Sequence, residues 1–154
     1  MADLQAQIAA SGLDGQLELA GRVEADRLAD LYRKTSIFAL ATRYEGYGIV
    51  FDEALSHGLP IVSTRAGAVP GTVPADAGLL VAPEDAPALA QALRRMLTDP
   101  AERAARAAAA ARAGRRCRAG RTPRAWRAGF WTRWTDLRGA ARACITAPQP
   151  RRPR

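Results

Sequence analysis

The residues Ser36–Thr64, "SIFALATRYEGYGIVFDEALSHGLPIVST", decide the fold. The stretch opens on a short β-rich apolar run, "SIFALAT", and closes on a second, "PIVST". Between them, "GIVFDEALSHG" has helical spacing: Val50, Phe51, Ala54 and Leu55 share one face, and Gly58 marks the stop. Continuous apolar strands that alternate with an amphipathic helix predict a parallel sheet covered by helices. The loop between the first strand and the helix, "ATRYEGYG", carries Glu45 and two glycines, and a second glutamate, Glu53, follows inside the helix.

The alternation extends in both directions. Upstream, "ADLQAQIAASG" places Leu4 and Ile8 one helical turn apart and ends at Gly12, "QLELAG" alternates like a strand, and "EADRLADLYRKT" sets Leu28, Leu31 and Tyr32 on one helical face. Downstream, "AGLLVAP" reads as a further strand, and "DAPALAQALRRMLTD" brings Leu89, Leu93, Met96 and Leu97 together at i, i+4, i+7 and i+8. The predicted fold class is α/β, a Rossmann-like parallel sheet with flanking helices over residues 1–100. Ligands of such sheets sit at the carboxyl ends of the strands. Two Gly-rich loops, "ATRYEGYG" and "TRAGAVPGTVP", are expected to open there on one edge.

Composition sets the outer limits. The chain has 154 residues, nearly half of them hydrophobic, enough for one domain with a real core. No repeat suggests a solenoid, and no apolar run is long enough to cross a membrane. The first residues lack the basic-then-apolar pattern of a secretory signal, and Cys117 and Cys144 have no metal or redox spacing, so a cytoplasmic location is expected. The net charge of +8 is the sum of two unlike parts. Residues 1–100 carry Lys34 and seven arginines against thirteen acidic residues, a net −5, whereas residues 101–154 carry fifteen arginines against Glu102 and Asp136, a net +13.

The loop has usable chemistry. Gly46 and Gly48 let the backbone turn sharply and approach a ligand closely. The helix that starts near Gly48 offers free N–H groups and the positive end of its dipole, which suit a phosphate or diphosphate. Glu45 lies just before the helix and Glu53 about a turn and a half inside it. A carboxylate accepts two hydroxyl hydrogen bonds and so suits the vicinal diol of a ribose or hexose. The parts fit a nucleotide sugar, although Gly-rich loops also precede ordinary helices, and a glutamate near a helix start is favoured by the dipole alone. His57, the only histidine, sits beside the Gly58 stop, which points to a helix-end or packing role.

Taken together, "YEGYGIVFDEALSHGLPIVSTRAGAVPGTVPADAGLLVAPEDAPALAQALRRML" resembles the C-terminal domain of glycosyltransferase family 4, retaining hexosyl-transferring enzymes of the two-domain GT-B architecture. The similarity runs over residues 13–98 and includes the E-x7-E pair, the "EAL..GLP.V" helix and strand, the "AGAVP" loop, the "AGLLV" strand and the "D..ALA.AL" helix. It implies that Glu45 approaches the donor sugar and Glu53 contacts the nucleotide ribose. It also implies that the backbone amides of Tyr47, Gly48, Ile49 and Val50 meet the diphosphate and sugar. The implied donor is a UDP- or GDP-sugar, transferred with retention and without a metal or other cofactor. An alternative with the same fold is a non-catalytic nucleotide-binding or protein-interaction module.

Several features depart from the family pattern. Position 71, a glutamate in most relatives, is Gly71. The upstream Arg and Lys that neutralise the diphosphate have no counterpart: Lys34 does not match that site, and no family role falls on Arg65. The acceptor-binding N-terminal domain is likewise outside the similarity, so the chain is expected to be a donor-binding part, incomplete at its N-terminal end and inactive by itself.

Residues 101–139 form an Ala-, Arg- and Trp-rich segment read as a helical tail, and residues 140–154 read as disordered. Trp126, Phe130, Trp134 and Leu137 fall at helical spacing beside Arg124, Arg127, Arg133 and Arg138. Three readings stay open for the tail. It suits peripheral contact with an anionic inner membrane surface or non-specific binding of nucleic acid through phosphates and stacking, or helices packed back on the domain, or a GC-rich gene read in a shifted frame. Specific nucleic-acid binding is not expected.

Overall fold

The computed structural model describes residues 2–13, 15–116 and 143–145. In chain order the elements are α1 (Ala2–Ala10), α2 (Ala25–Lys34), β1 (Ile37–Leu40), α3 (Ile49–Ser56), β2 (Ile61–Thr64), α4 (Val69–Thr72), β3 (Gly78–Val81), α5 (Ala86–Thr98), α6 (Pro100–Arg116) and β4 (Ala143–Ile145). The sheet order is β3-β2-β1-β4. β1, β2 and β3 are parallel, with Phe38 opposite Ile61 and Ile61 opposite Gly78. β4 runs antiparallel to β1, with Ile37 opposite Ile145.

The sheet is covered on both faces, which is why its strands are apolar without interruption. Phe38, Leu40 and Ile61 join a cluster with Val50, Phe51, Ala54 and Leu55 of α3, Val69 of α4, and Ala109 and Ala110 of α6. Ile37, Ala39 and Val62 face the other way, onto Ala92 and Met96 of α5, with Leu89, Leu93 and Leu97 packed alongside. The apolar stripe read from sequence for α3 is thus buried, and of that for α5 Met96 is buried and Leu89, Leu93 and Leu97 are half-buried. Ser63, fully buried in β2, satisfies its hydroxyl by donating to the Leu40 carbonyl at 2.6 Å.

The Asp-Pro pair between α5 and α6 breaks one helical run into two. Pro100 cannot continue α5, because it lacks an N–H and its ring disfavours helix in the residue before it. It is well suited to the first turn of α6, where Asp99 accepts a 2.9 Å hydrogen bond from the Glu102 amide. α6 then lies against α3 so closely that a Cβ on Gly114 would fall 2.2 Å from the Leu55 carbonyl oxygen. Glu102 accepts from Arg106 Nε (3.0 Å) and Nη2 (2.9 Å), and also pairs with Arg95 of α5. Arg106 continues to the carbonyls of Ala75 and Gly78, 3.1 and 2.8 Å away, and so ties α6 to β3.

Some expectations change. "QLELAG" alternates like a strand, yet residues 16–21 form none, and Leu17 is half exposed. The flanks of β1 are taken by β2 and β4, so the segment has no partner there. α1 forms, but Leu4 stays exposed. The compositional break near Pro100 is not a break in packing, because Ala109, Ala110 and Gly114 of α6 are buried. Within a stretch whose composition suggests disorder, residues 143–145 form β4. The aromatic stripe of the basic tail and Cys117 lie outside the described residues. Among the described residues, no helix is long and apolar enough to cross a membrane.

Candidate functional site

The carboxyl ends of β1 and β2 are pinned to each other just before their loops begin. Thr64 Oγ1 accepts from the Thr42 amide at 3.0 Å and donates to the Thr42 carbonyl. Thr42 Oγ1 in turn donates to the Tyr44 carbonyl at 2.7 Å and so closes a tight turn. From this base the first loop rises and presents Tyr44 and Tyr47 as exposed rings.

Glu45 is the most constrained residue of that loop. Its Oε1 accepts the amides of Tyr47 (3.4 Å) and Gly48 (3.1 Å), and its carbonyl accepts the Ala68 amide at 2.8 Å. That last bond locks the two Gly-rich loops together. Gly67 makes it possible: its φ is +53°, and a Cβ there would lie 2.1 Å from the Glu45 carbonyl oxygen. Gly48 turns the chain into α3 with φ +75° against the Thr72 side chain. Its carbonyl accepts from Phe51 and Asp52 and starts the helix.

A helix leaves its first amides without intrahelical partners. At the start of α3, Tyr47 and Gly48 give theirs to Glu45, while the amides of Ile49 and Val50 have no partner among the described residues. Two free donors at the positive end of a helix dipole form a place for an anion. Glu53, the fifth residue of α3, is about 6 Å further along the axis. It is half-buried and accepts a 3.1 Å hydrogen bond from the Tyr32 hydroxyl. The structure therefore sets a helix start, with two amides unpartnered among the described residues, between two carboxylates, each already held by a neighbour.

Residues 1–99 of this sequence match the family described as Glycosyl transferases group 1. The chain belongs to that family. It is 33% identical over 107 residues to the GDP-mannose-dependent monoacylated alpha-(1-6)-phosphatidylinositol monomannoside mannosyltransferase of Corynebacterium glutamicum, which covers 65% of this chain and 28% of the relative. It is 35% identical over 83 residues to a sulfoquinovosyl transferase of Arabidopsis thaliana, covering 51% of this chain and 16% of the relative. The fold superposes on the crystallised C-terminal domain of a glycosyl transferase group 1 family protein from Francisella tularensis with a TM-score of 0.66 and 26% identity, covering 73% of this chain and 58% of that one. Against the sucrose-phosphate synthase of Thermosynechococcus elongatus the TM-score is 0.61 at 31% identity, covering 75% and 29%. The chain spans less than a third of the length of both sequence relatives.

In this member of the family, the other residues singled out by sequence are placed as follows. Gly71, where a glutamate was expected, is exposed in α4, and a Cβ there would meet nothing within 4 Å, so the position has room for a side chain. Arg65 stands at the correct edge, but its guanidinium turns back 3.3 Å from the Leu80 carbonyl on the outer edge of β3. Lys34 ends α2, and His57 caps α3, both at the amino end of the sheet and away from the loops. His57 Nδ1 lies 3.0 Å from the Glu53 carbonyl, the helix-end role read from its position. An open cleft of about 370 Å³ borders Thr35, Ser36, His57, Pro60 and Arg103. It too is at the amino end, and its concavity does not outweigh the chemistry of the loops. The sequence reading missed Tyr32, which it took only as a core residue, and Thr72, which backs Gly48.

Proposed function

We propose that these residues form the donor-binding half of a retaining glycosyltransferase that takes a UDP- or GDP-sugar. The diphosphate lies at the start of α3 on the amides of Ile49 and Val50. Glu45 addresses the donor sugar, with Tyr47 and Gly48 beside it, and Glu53 takes the ribose diol. The observation that carries the reading is the helix start itself. Two amides there lack partners among the described residues, beside a glutamate held by backbone hydrogen bonds on both its side chain and its carbonyl.

The chemistry follows from charge. As the glycosidic bond to the diphosphate breaks, negative charge grows on the leaving phosphate oxygens, and preset N–H dipoles stabilise it without reorganising. A hydroxyl of the sugar held by Glu45 fixes the anomeric carbon over that site. Acceptor binding and the facing wall of the cleft are not assigned to these residues, so the chain alone is proposed to hold donor without transferring it. The name of the Corynebacterium relative includes a GDP-mannose donor, which makes GDP-mannose the first donor to try.

Calorimetric titration with UDP, GDP, UDP-glucose and GDP-mannose tests the reading. One nucleotide series should bind, and Glu53→Ala should weaken it. If none of the four binds at millimolar concentration, the chain is instead a module that keeps the fold and serves a protein partner.

A further inference from the structure

Glu53 does not stand alone on its side of α3. The Tyr32 hydroxyl, in the last turn of α2, donates to Glu53 Oε2 across 21 residues of sequence. That hydroxyl is carried on a ring with little freedom to turn. Tyr32 is only 3% exposed. Its ring stacks on the His57 imidazole, with centroids 5.0 Å apart and planes 18° from parallel. It also meets Phe38 at 6.0 Å, and Phe38 in turn meets Phe51 of α3 edge-on at 5.8 Å. His57 reaches back to the Glu53 carbonyl. The row of rings therefore grips Glu53 twice, at its backbone and at its carboxylate.

We propose that Tyr32 is a positioning residue for nucleotide binding: it fixes the Glu53 carboxylate in the orientation that receives the ribose 2′- and 3′-hydroxyls. The inference rests on the reading of Glu53 as the ribose carboxylate. A glutamate side chain on a helix surface samples several rotamers, and a ligand that needs one of them must bear the ordering entropy. Tyr32 removes that cost before the ligand arrives. A carboxylate has about four lone-pair sites, so the hydrogen bond from Tyr32 does not by itself exclude a diol. A purely structural role is the competing account, because a buried tyrosine hydroxyl needs some partner. The two accounts part on the ligand, since a structural role does not distinguish one nucleotide from another.

The test compares GDP and UDP with their 2′,3′-dideoxy forms, titrated into the full chain and into Tyr32→Phe and Glu53→Gln. Tyr32→Phe keeps the ring and its stacking and removes one oxygen. It should weaken the diol-bearing nucleotide roughly fivefold, the worth of one net hydrogen bond, and leave the dideoxy affinity unchanged, which also shows that the variant is folded. Equal weakening of both forms by Tyr32→Phe, or no weakening of either, overturns the proposal when Glu53→Gln weakens the diol-bearing form and spares the dideoxy one. If Glu53→Gln changes the affinity of both forms alike, or the unaltered chain binds neither diphosphate, the reading of Glu53 itself falls, and the role of Tyr32 with it.

Discussion

Gly67 and Gly71 lie four residues apart, and the same substitution should act on them with opposite sign. At Gly67, alanine must adopt φ +53°, a left-handed conformation that costs an L-residue about 1–2 kcal/mol. Its Cβ would stand 2.1 Å from the Glu45 carbonyl oxygen and 2.9 Å from the Glu45 nitrogen. The loops must therefore separate and strain the Ala68–Glu45 hydrogen bond, for about another 1 kcal/mol. Reduced freedom of the unfolded chain offsets roughly 0.4–1 kcal/mol of this, which leaves a net loss of about 2 kcal/mol. At Gly71 a Cβ meets nothing within 4 Å, and no positive φ is required. Alanine there should stabilise by about 0.5–1 kcal/mol, the usual gain over glycine in a helix. Urea unfolding of both variants, with unchanged m-values, measures the two effects. Because Gly67→Ala displaces Glu45 and leaves Glu53 alone, it should also weaken a nucleotide sugar more than the bare nucleoside diphosphate. A Gly67→Ala chain within about 0.5 kcal/mol of the original, with both ligands unaffected, would refute the idea that contact between the loops holds Glu45.

Three further outcomes follow from other parts of the molecule. Burial works to raise the Glu102 pKa, but hydrogen bonds from Arg106 and Arg95 outweigh it and hold the carboxyl below its ordinary value of 4.5. A depressed pKa stabilises above the unfolded value and loses that contribution as pH falls through the folded one. The Tm of the original chain should therefore drop faster than that of Glu102→Gln below about pH 4.5, and parallel Tm curves would count against the network. Gly114→Ala should push α6 off α3 and cost about 1–2 kcal/mol in urea unfolding despite alanine's better helix propensity; a stabilised variant would mean that the two helices separate freely. Incubated with UDP-glucose or GDP-mannose, the chain should release no nucleotide above background, and turnover abolished by Glu53→Ala would show that the donor half transfers by itself.

The central strand-helix-strand unit was legible because burial on two faces forces uninterrupted apolar runs, and no common alternative writes that pattern between two short loops. "QLELAG" shows where periodicity stops. Alternation says that a segment could pair, but a free edge decides whether it does, and both flanks of β1 are occupied. α6 shows the reverse case. Its Ala- and Arg-rich composition announced a helix, yet the docking on α3 depends on the small residues Ala109, Ala110 and Gly114. Small residues allow close approach without leaving the strong apolar stripe that marks α5 in the sequence.

The two glutamates divide along the same line. Glu45 could be read from its neighbourhood, because its side chain binds amides only two and three residues ahead. Its second tether, through Ala68, needed the structure, although the glycine at 67 was a sign of close backbone approach. The Glu53 carboxylate is held by a residue 21 positions away on a different helix, and no local pattern could name Tyr32. The E-x7-E spacing thus states which carboxylates are available, and the fold states how each is held. Glu45 is fixed by backbone, so its position depends on loop geometry and tolerates no Cβ at Gly67. Glu53 is fixed by a side chain within an aromatic row, so its position depends on core packing between α2, β1 and α3. Under the proposed reading, the sugar end and the ribose end of a donor are addressed by carboxylates with separate supports. A change in either loop or core could then alter recognition of one end without reshaping the helix start between them.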